Sequence, residues 1–354
     1  MKTARFGISI YGNSALEWVR GQIKQAESLG MKYVFTSLHI PEENHDLKAS
    51  LDHLLWCAHE AGLQVIADIS PLTLQRLGFK HCSELIALGV DWWRMDYGFD
   101  FSELVTLSCK TPVMLNASLV DETLLRLLQQ EQIPKAHLAA CHNFYPKPFS
   151  GLSLEYIQEQ NDLCHHYGIP VFGFIAGDGS KRGPIEKGLP TLEETRWQRP
   201  LLAALTLLYR AKCDVVLVGD PDCTPETWQE LGRLSQGILH LRAKLLPEWE
   251  QYYNTLQQER VDSSPYVIRS LTSRDYAQVG EMREAVQYSH TLRSKGSIWV
   301  ANQQYRRYSG ELEIVRQDLP ADPWQNHIGQ IIEEDLEVIE YVRQGMRYCL
   351  IKAT

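Results

Sequence analysis

The sequence lacks an excess of positive charge and long apolar runs, and each absence excludes a class of protein. Its 354 residues include 35 lysines and arginines against 44 aspartates and glutamates, which gives a net charge of -9. A basic surface for nucleic acid is therefore not indicated, although a local cluster of cations could still hold an anionic substrate. No apolar run approaches the roughly 18 residues that span a membrane, and the first residues lack the apolar core of a signal peptide. We expect neither nucleic acid nor a membrane as a partner.

Closely spaced cysteines and metal-binding motifs are also missing. The two nearest cysteines are Cys213 and Cys223, so there is no C-x-x-C metal or redox motif. A disulfide scaffold is not expected at this length, and we predict reduced, mostly buried thiols in a cytoplasmic protein. By residue type a divalent metal could be held by His39, Asp68, Asp96, His142 and Asp220. No HxH or HExxH spacing supports such a site, and we expect no metal.

The first two thirds of the chain alternate between short apolar runs and amphipathic stretches. The apolar runs are mostly continuous, which is typical of strands covered on both faces. They predict strands at residues 6–11, 33–38, 64–69, 91–95, 112–115, 137–141, 171–175 and 215–218. Helical spacing predicts helices at residues 16–29, 47–61, 154–167, 192–211 and 225–241. Glycine follows the first three helices, as a left-handed cap does.

Strands that alternate with helices predict a parallel sheet, and eight such units favour a closed (β/α)₈ barrel. A doubly wound sheet would usually open with a glycine-rich turn after its first strand, whereas only Gly12 follows Tyr11 here. The polar residues 249–259 are interpreted as a connection, and strands are predicted at residues 266–271, 297–300, 310–315, 330–332 and 347–351. We predict a barrel domain over residues 1–244 and a small antiparallel β domain, a barrel or half-barrel, over residues 245–354.

Polar side chains follow all eight predicted strands, where the active sites of such barrels lie. They are Ser9 and Tyr11; Ser37, His39 and Glu42; Asp68 and Ser70; Asp96 and Tyr97; Asn116 and Ser118; His142, Asn143 and Tyr145; Asp178, Lys181 and Arg182; and Asp220 and Asp222. Helix capping would explain any single member. Polar groups at every strand end instead indicate a polar ligand that needs many hydrogen bonds.

Two of these segments suggest specific chemistry. Asp96 lies in the string WWRMDY, whose aromatic residues could desolvate its carboxyl group or stack on a sugar ring, or could simply pack under helices. Asp178 lies in AGDGSKRGP, where glycines allow backbone N–H groups to approach a ligand and Lys181 and Arg182 could bind phosphate. A solvated surface turn is the alternative for the second segment.

Several longer strings carry a resemblance to a known family. They are FGISIY, SLHIPEE, ADISP, MDYGF, LNAS, CHNFYPKPFSGLS, KRGPIEKGLPTLEETR and YRRYSGELEI. Together they resemble the cytoplasmic 6-phospho-N-acetylmuramidases nearly from end to end. The resemblance implies a (β/α)₈ barrel followed by a cyclophilin-like β-barrel. It also implies cofactor-free hydrolysis of the β-glycosidic bond between N-acetylmuramic acid 6-phosphate and N-acetylglucosamine in cell-wall recycling.

The family's motifs match this sequence at named positions. Asp96 and Tyr97 match its Asp-Tyr-Gly motif, and the segment from His142 to Tyr145 matches its His-Asn-Phe-Tyr motif. Asp178 and Arg182 match its Gly-Asp and Lys-Arg-Gly motifs. The turn after Tyr11 and residues 299–302 depart from the family pattern, so a related phosphorylated disaccharide is left open as the substrate.

We therefore predict glycoside hydrolysis by two carboxylates. Asp96 is the predicted general acid and Asp178 its partner, with Asp68 and Glu42 as reserves. The predicted substrate ligands are Tyr11, His39, Tyr97, Asn116, His142, Asn143, Tyr145 and Asp220. The predicted phosphate ligands are Lys181 and Arg182, helped by Arg269, Arg274 or Arg307 of the small domain. The expected partner is a small phosphorylated disaccharide, and a homodimer is left open.

Two other functions remain compatible with the residues. One is a sugar-phosphate binding protein without catalytic activity, since fold alone does not imply function. The other is a pyridoxal-phosphate racemase, which would need a Schiff-base lysine near a strand end. The first predicted strand ends at Tyr11 without one.

Overall fold

The computed structural model describes residues 5–12, 14–38, 47–274, 284 and 292–353. It divides into two units, the first ending at Ser235 and the second beginning at Gln236. Two candidate site residues, His39 and Glu42, lie outside the described residues. Among the helices that are described, none combines the length and apolar composition needed to cross a membrane.

The first unit is a closed barrel of eight parallel strands, which confirms the predicted fold class. The strands are β1 (Arg5–Ser9), β2 (Tyr33–Ser37), β3 (Gln64–Ile69), β4 (Trp92–Met95), β5 (Val113–Asn116), β6 (Leu138–Cys141), β7 (Val171–Ile175) and β8 (Val215–Val218). The helices are α1 (Leu16–Ser28), α2 (Leu47–Glu60), α3 (Pro71–Leu77), α4 (Phe101–Ser108), α5 (Glu122–Gln130), α6 (Leu154–His166), α7 (Pro200–Leu205) and α8 (Pro225–Ser235). The barrel closes where β8 pairs with β1.

The interior of the barrel is apolar in its middle and polar at the carboxyl ends of its strands. Ile66 and Met114 belong to the core cluster inside the barrel. Side chains two positions apart on a strand point the same way, so Asp68 follows Ile66 and Asn116 follows Met114 towards the carboxyl end. Because side chains alternate between the inside and the outside of the barrel, polar groups at the carboxyl ends of the strands lie directly above a packed apolar layer.

Two predicted helices are wrong in part. Residues 192–211 do not form one helix, because Glu193–Thr195 is a 3₁₀ turn and α7 begins at Pro200. Proline lacks the N–H needed to continue a preceding helix but fits the first turn of a new one. The helix predicted over residues 225–241 ends at Ser235 and is followed by Gly237, whose φ of 75° suits glycine.

Three helices, α3, α4 and α5, were not predicted, although their ends carry clear signals. Gly78 ends α3 in the left-handed conformation. Asp100 and Asp121 accept backbone N–H groups at the starts of α4 and α5. These are ordinary capping arrangements.

The second unit contains a seven-stranded sheet. Its strands are β9 (Ile238–Leu245), β10 (Leu256–Gln258), β11 (Val267–Arg269), β12 (Ser297–Ala301), β13 (Leu312–Val315), β14 (Gln325–Ile331) and β15 (Arg347–Lys352). They lie in the order β10-β15-β9-β14-β12-β13-β11. The sheet is mixed rather than antiparallel, because the first long strand, β9, pairs in parallel with the last strand, β15. The interpretation of residues 249–259 as a connection is also wrong, since they include the short edge strand β10.

Candidate active site

An open cavity of about 810 Å³ lies above the carboxyl ends of the barrel strands. This volume is within the range of about 300–1,000 Å³ typical of small-molecule sites. The candidate residues that line it are Tyr11, Asp68, Asp96, His142, Asn143, Tyr145, Lys181 and Arg182. The structure therefore brings together residues at the carboxyl ends of five of the eight strands, β1, β3, β4, β6 and β7.

Arg94, a buried residue of β4, connects the polar groups at the bottom of this cavity. Its Nη1 donates to Asp68 Oδ1 at 2.6 Å and lies 3.3 Å from Asp96 Oδ1. Its Nη2 donates to Asn143 Oδ1 at 2.5 Å, and its Nε donates to the carbonyl oxygen of Cys141 at 3.3 Å. One guanidinium thus holds two carboxylates and one amide in fixed positions, as its planar fork of donors allows.

The charges around Arg94 favour its cationic form. Burial alone would lower the pKa of Arg94, but the carboxylates of Asp68 and Asp96 outweigh burial and raise the pKa above its usual value. The neighbouring thiol of Cys141 is neutral, because burial raises its pKa to about 12. The bottom of the cavity therefore holds a permanent cation between two carboxyl groups.

Asp68 and Asp96 are close enough to act on one bond. The two oxygens that contact Arg94 Nη1, at 2.6 and 3.3 Å, are at most about 6 Å apart, which is less than the ~6.5–9.5 Å between the carboxyl groups of inverting glycosidases. Asp96 is the more open of the two, with 19% of its side chain exposed against 5% for Asp68. Asn116 Nδ2 donates to Asp96 Oδ1 at 2.9 Å and helps to orient it.

His142 is fully buried and positions Asn143. Its Nε2 lies 2.8 Å from Asn161 Oδ1, and its Nδ1 lies 3.2 Å from Ser118 Oγ. Because Asn161 uses its amide group to donate to Ala211, His142 Nε2 carries the proton and Nδ1 accepts. Burial lowers the pKa of His142 to about 4, so the ring is neutral near pH 7.

The backbone of Asn143 is held on both sides of its side chain. Ser118 Oγ accepts the backbone N–H of Asn143 at 3.0 Å, and Thr191 Oγ1 donates to the backbone carbonyl of Asn143 at 2.9 Å. The side chain of Asn143 is thereby presented to Arg94 and to the cavity. His142, predicted to bind substrate, has both ring nitrogens engaged by protein groups and supports the site from below.

Lys181 and Arg182 lie on the loop after β7 and line the opposite side of the cavity. The guanidinium of Arg182 lies over the ring of Tyr11, 3.9 Å from its centroid, a favourable cation–π arrangement. Lys181 Nζ donates to the carbonyl oxygen of Gly177 and lies 3.7 Å from Asp220 Oδ2. Two cations thus stand together at a wall of the cavity.

Asp220, predicted to bind substrate, instead holds this loop. It is buried, and its Oδ2 accepts the backbone N–H groups of Gly177 and Leu189 at 3.0 and 3.2 Å. Its Oδ1 accepts the N–H of Arg182 at 3.1 Å. Tyr11 is also engaged by protein, since its hydroxyl donates to the carbonyl oxygen of Gly219 at 2.6 Å.

Asp178 binds residues at the start of α8 and is not among the described residues that line the cavity. Its Oδ1 accepts the N–H of Thr224 at 2.8 Å, directly before α8. Its Oδ2 accepts the hydroxyls of Thr224 and Thr227 at 3.1 and 2.8 Å. The structure therefore does not bring Asp178 together with Asp96, whereas Asp68 and Asp96 both contact Arg94.

An ion pair between a buried arginine and a partly exposed glutamate joins the loops after β6 and β7. Arg196 donates to both carboxylate oxygens of Glu193 at 2.7 and 2.6 Å and to the carbonyl oxygen of Gly188 at 3.1 Å. Glu193 in turn accepts the N–H groups of Phe149 and Gly151 at 2.8 and 2.7 Å. These hydrogen bonds, those from Arg196 first, lower the pKa of Glu193 to about 2.

Replacing Glu193 with glutamine is expected to lower the free energy of unfolding at pH 7 by about 2 kcal/mol. A carboxyl group whose pKa is lowered by folding stabilises the fold at pH values above its pKa in the unfolded chain, which is about 4.3. This contribution is lost as the pH falls towards the folded-state pKa of about 2. Urea unfolding of wild type and Glu193→Gln between pH 7 and pH 2.5 measures the difference. We expect the free energies of unfolding of the two proteins to converge at acid pH; a difference that is independent of pH would show that the Glu193 carboxylate does not contribute in this way.

The predicted phosphate ligands of the second unit all have partners within that unit. Arg269 pairs with Asp262 at 3.2 Å, and Arg274 pairs with Glu311 at 2.9 Å. Arg307 donates to the hydroxyl of Tyr308 at 2.8 Å. Their assignment to phosphate stays a prediction. Within the part of the chain that the structure describes, no group of His, Cys, Asp or Glu side chains is arranged as metal ligands would be.

Three residues that hold this site together were missed from the sequence: Arg94, Asn161 and Arg196. Arg94 could have been found, because it lies two positions before Asp96 on the inner face of β4. Arg196 stands three residues after Glu193 in a string that carries the family resemblance. Asn161 lies on α6, and nothing local in the sequence connects it to His142.

Comparison with known proteins identifies the family of the chain. A family model described as 6-phospho-N-acetylmuramidase, N-terminal, matches residues 6–233, and its C-terminal counterpart matches residues 239–351. Among solved structures, the chain is similar to a conserved protein of unknown function from Enterococcus faecalis, with 32% identity and a TM-score of 0.78. That match covers 99% of this chain and 96% of the other.

A second solved structure, an uncharacterized B. cereus protein, has 27% identity and a TM-score of 0.76 over 99% of each chain. Among curated proteins, no significant match is found. The two family models nevertheless span both units of the fold and confirm the resemblance inferred from the sequence strings. The chain therefore belongs to the 6-phospho-N-acetylmuramidase family, a family of glycosidases.

Proposed function

We propose that the chain hydrolyses the β-glycosidic bond between N-acetylmuramic acid 6-phosphate and N-acetylglucosamine, or that of a closely related phosphorylated disaccharide. The observation that carries the proposal is a single cavity with two carboxylates on one side and two cations on the other. Asp68 and Asp96 supply the acid pair of a glycosidase. Lys181 and Arg182 supply the charge that a phosphate needs.

The roles of the carboxylates follow from their surroundings. Asp96 is open to the cavity and would donate a proton to the glycosidic oxygen as its bond to the anomeric carbon breaks. Asp68, whose carboxyl group pairs with Arg94, would attack the anomeric carbon and form a glycosyl ester. Asp96 would then take a proton from the water that attacks this ester at the anomeric carbon and releases Asp68. Their short separation favours this two-step route, with retention of configuration.

The phosphate side of the cavity would fix the substrate before chemistry. Arg182 is held flat over Tyr11, so less side-chain entropy is lost when it binds an oxyanion. Asp220 fixes the backbone of the same loop. Asn143 and Tyr145 line the space between the carboxylates and the cations and would bind sugar hydroxyls and the N-acetyl group.

Replacing Arg182 with alanine is expected to lower kcat/KM for the phosphorylated disaccharide by about 10²-fold, because a desolvated charge-assisted contact is lost. The unphosphorylated disaccharide serves as the matched substrate, and its slow hydrolysis should be unaffected. Parallel steady-state assays of both substrates measure the ratio. An equal loss for both substrates would show that Arg182 does not recognise the phosphate.

The proposed function itself is tested by incubating wild type with 6-phosphorylated and unphosphorylated N-acetylmuramyl-N-acetylglucosamine and analysing the products. We expect release of N-acetylglucosamine and N-acetylmuramic acid 6-phosphate, with strong preference for the phosphorylated substrate. Tight binding without hydrolysis would instead favour a sugar-phosphate binding protein. Hydrolysis without regard to phosphate would contradict the assignment of Lys181 and Arg182.

We further propose a cytoplasmic role in peptidoglycan recycling and a cyclophilin-like second unit. All eight cysteines are free of disulfides, which suits a reducing compartment. The second unit is built on one curled sheet of seven strands. Its own contribution to the reaction is tested most simply by substituting Arg274 and following KM for the phosphorylated substrate.

A further inference from the structure

A second cavity of about 300 Å³ opens beside the first, on the loops after β4 and β5. The two cavities share one lining residue, Asp96. Asn116, which donates to Asp96 Oδ1 at 2.9 Å, lines the second cavity. The proposed acid therefore lies at the boundary between two separate spaces, each large enough to be considered as a ligand site.

The charges of the two cavities differ. The large cavity has three cations in its lining, including Lys181 and Arg182. The second cavity has none among its described lining residues, and its only ionisable acids are Asp96 and Asp100. Asp100 is already engaged as the cap of α4, where it accepts the N–H of Glu103 at 2.8 Å. A phosphorylated group would be repelled from this cavity, whereas a neutral group would not.

The second cavity is lined mainly by apolar side chains, two of which are exposed. Tyr97 is 56% exposed and Leu119 is 70% exposed, and both contribute to its lining. Leu104 and Leu115 lie beneath them and are buried. An aromatic ring on an apolar base, with a few convergent polar groups at one edge, is the usual composition of a small-ligand site.

We propose that this second cavity binds the leaving-group sugar, a neutral N-acetylhexosamine, with the ring of Tyr97 against its apolar face. The inference rests on the proposed function and deepens it. A glycosidic oxygen that receives a proton from Asp96 has one sugar on each side of it. The phosphorylated sugar then occupies the large cavity with its cations, and the unphosphorylated sugar occupies the cation-free one. The boundary at Asp96 sets both the bond that is cleaved and the order of the two sugars.

The test compares two substrates that differ only in the leaving group. One is the phosphorylated disaccharide, and the other is the methyl β-glycoside of N-acetylmuramic acid 6-phosphate, whose leaving group is too small to reach Tyr97. We expect Tyr97→Ala to lower kcat/KM for the disaccharide by about tenfold, and Tyr97→Phe to retain most of it, since the ring is kept. The methyl glycoside should be hydrolysed equally by all three proteins.

Leu119→Ala and Leu127→Ala form a matched pair, because both are exposed leucines but only Leu119 lines the cavity. Leu119→Ala should lower kcat/KM for the disaccharide alone, and Leu127→Ala should change neither substrate. Equal losses on both substrates, or no loss in Tyr97→Ala and Leu119→Ala, would overturn the leaving-group site while leaving the proposed function intact. Failure of wild type to hydrolyse either substrate would overturn the proposed function and this inference with it. Thermal unfolding of each variant identifies losses that come from misfolding.

Discussion

Replacing Arg94 with methionine is expected to lower kcat/KM for the phosphorylated disaccharide by about 10³-fold or more and to destabilise the barrel by about 3–5 kcal/mol. The first effect arises because Arg94 fixes both carboxylates and Asn143 relative to one another. The second arises because Asp68 would be left as a buried charge without its cation. No other substitution is expected to affect both activity and stability so strongly.

Arg94→Lys separates charge from geometry. Lysine keeps the positive charge but cannot donate simultaneously to Asp68, Asn143 and the Cys141 carbonyl, as the planar guanidinium does. We expect Arg94→Lys to recover part of the stability but little of the activity. Urea unfolding and steady-state kinetics measure the two effects. If Arg94→Lys regained nearly full activity, Arg94 would supply only charge, and its role in positioning the carboxylates would be refuted.

Replacing Asp96 with asparagine is expected to lower kcat by about 10²–10⁴-fold, the usual contribution of a general acid, while KM changes little. The amide has nearly the same shape and still offers an oxygen to Arg94 and Asn116, but it has no proton of suitable acidity to give. The effect should therefore appear in kcat rather than in folding. Steady-state kinetics with thermal unfolding as a control measures it.

Asp178→Ala serves as the comparison for Asp96→Asn, because the sequence analysis predicted that both Asp96 and Asp178 are catalytic. The structure ties Asp178 by hydrogen bonds to Thr224 and Thr227 at the start of α8, so its loss should lower stability by about 1 kcal/mol and leave kcat close to wild type. If Asp178→Ala lost as much kcat as Asp96→Asn, the pair proposed from the geometry would be wrong and the pair expected from the sequence would be right.

The barrel was predictable because its strands are short, continuous apolar runs. All eight were located, and their order along the chain fixes a closed parallel sheet once eight βα units are recognised. The wrong predictions of helix bounds occur where neighbouring segments give conflicting patterns of apolar residues. In β9, Leu239, Leu241 and Ala243 are buried in alternation, yet they follow a true helix closely enough to extend its pattern. Gly237 was the signal that separates the two elements.

The site was predictable in composition but not in its internal order. Strand ends gave Asp68, Asp96 and Asn143 correctly as neighbours of one cavity. Their mutual arrangement depends on Arg94, a charged residue inside a strand. The role of Arg94 becomes visible only through its hydrogen bonds to β3, to β6 and to the segment after β6. The sequence shows that a residue lies near the end of a strand, but it does not show how far that residue lies from Asp96 in the folded protein.

Asp178 illustrates the same limit from the opposite side. Flanking glycines and nearby cations indicated a ligand site, but its hydrogen-bond partners are Thr224 and Thr227, more than forty residues later in the chain. Only the adjacency of β7 and β8 in the closed barrel brings these groups together. Long-range contacts of this kind decide which of several acidic residues has a structural role and which is available for chemistry.

In the proposed reaction, Asp68 and Asp96, held by Arg94, cleave the glycosidic bond of a 6-phosphorylated sugar in two steps. Time-resolved proton NMR of wild type acting on N-acetylmuramic acid 6-phosphate–N-acetylglucosamine shows which anomer is formed. We expect N-acetylmuramic acid 6-phosphate to be released first as its β-anomer, before mutarotation. First appearance of the α-anomer, or no cleavage at all, would contradict the proposed reaction.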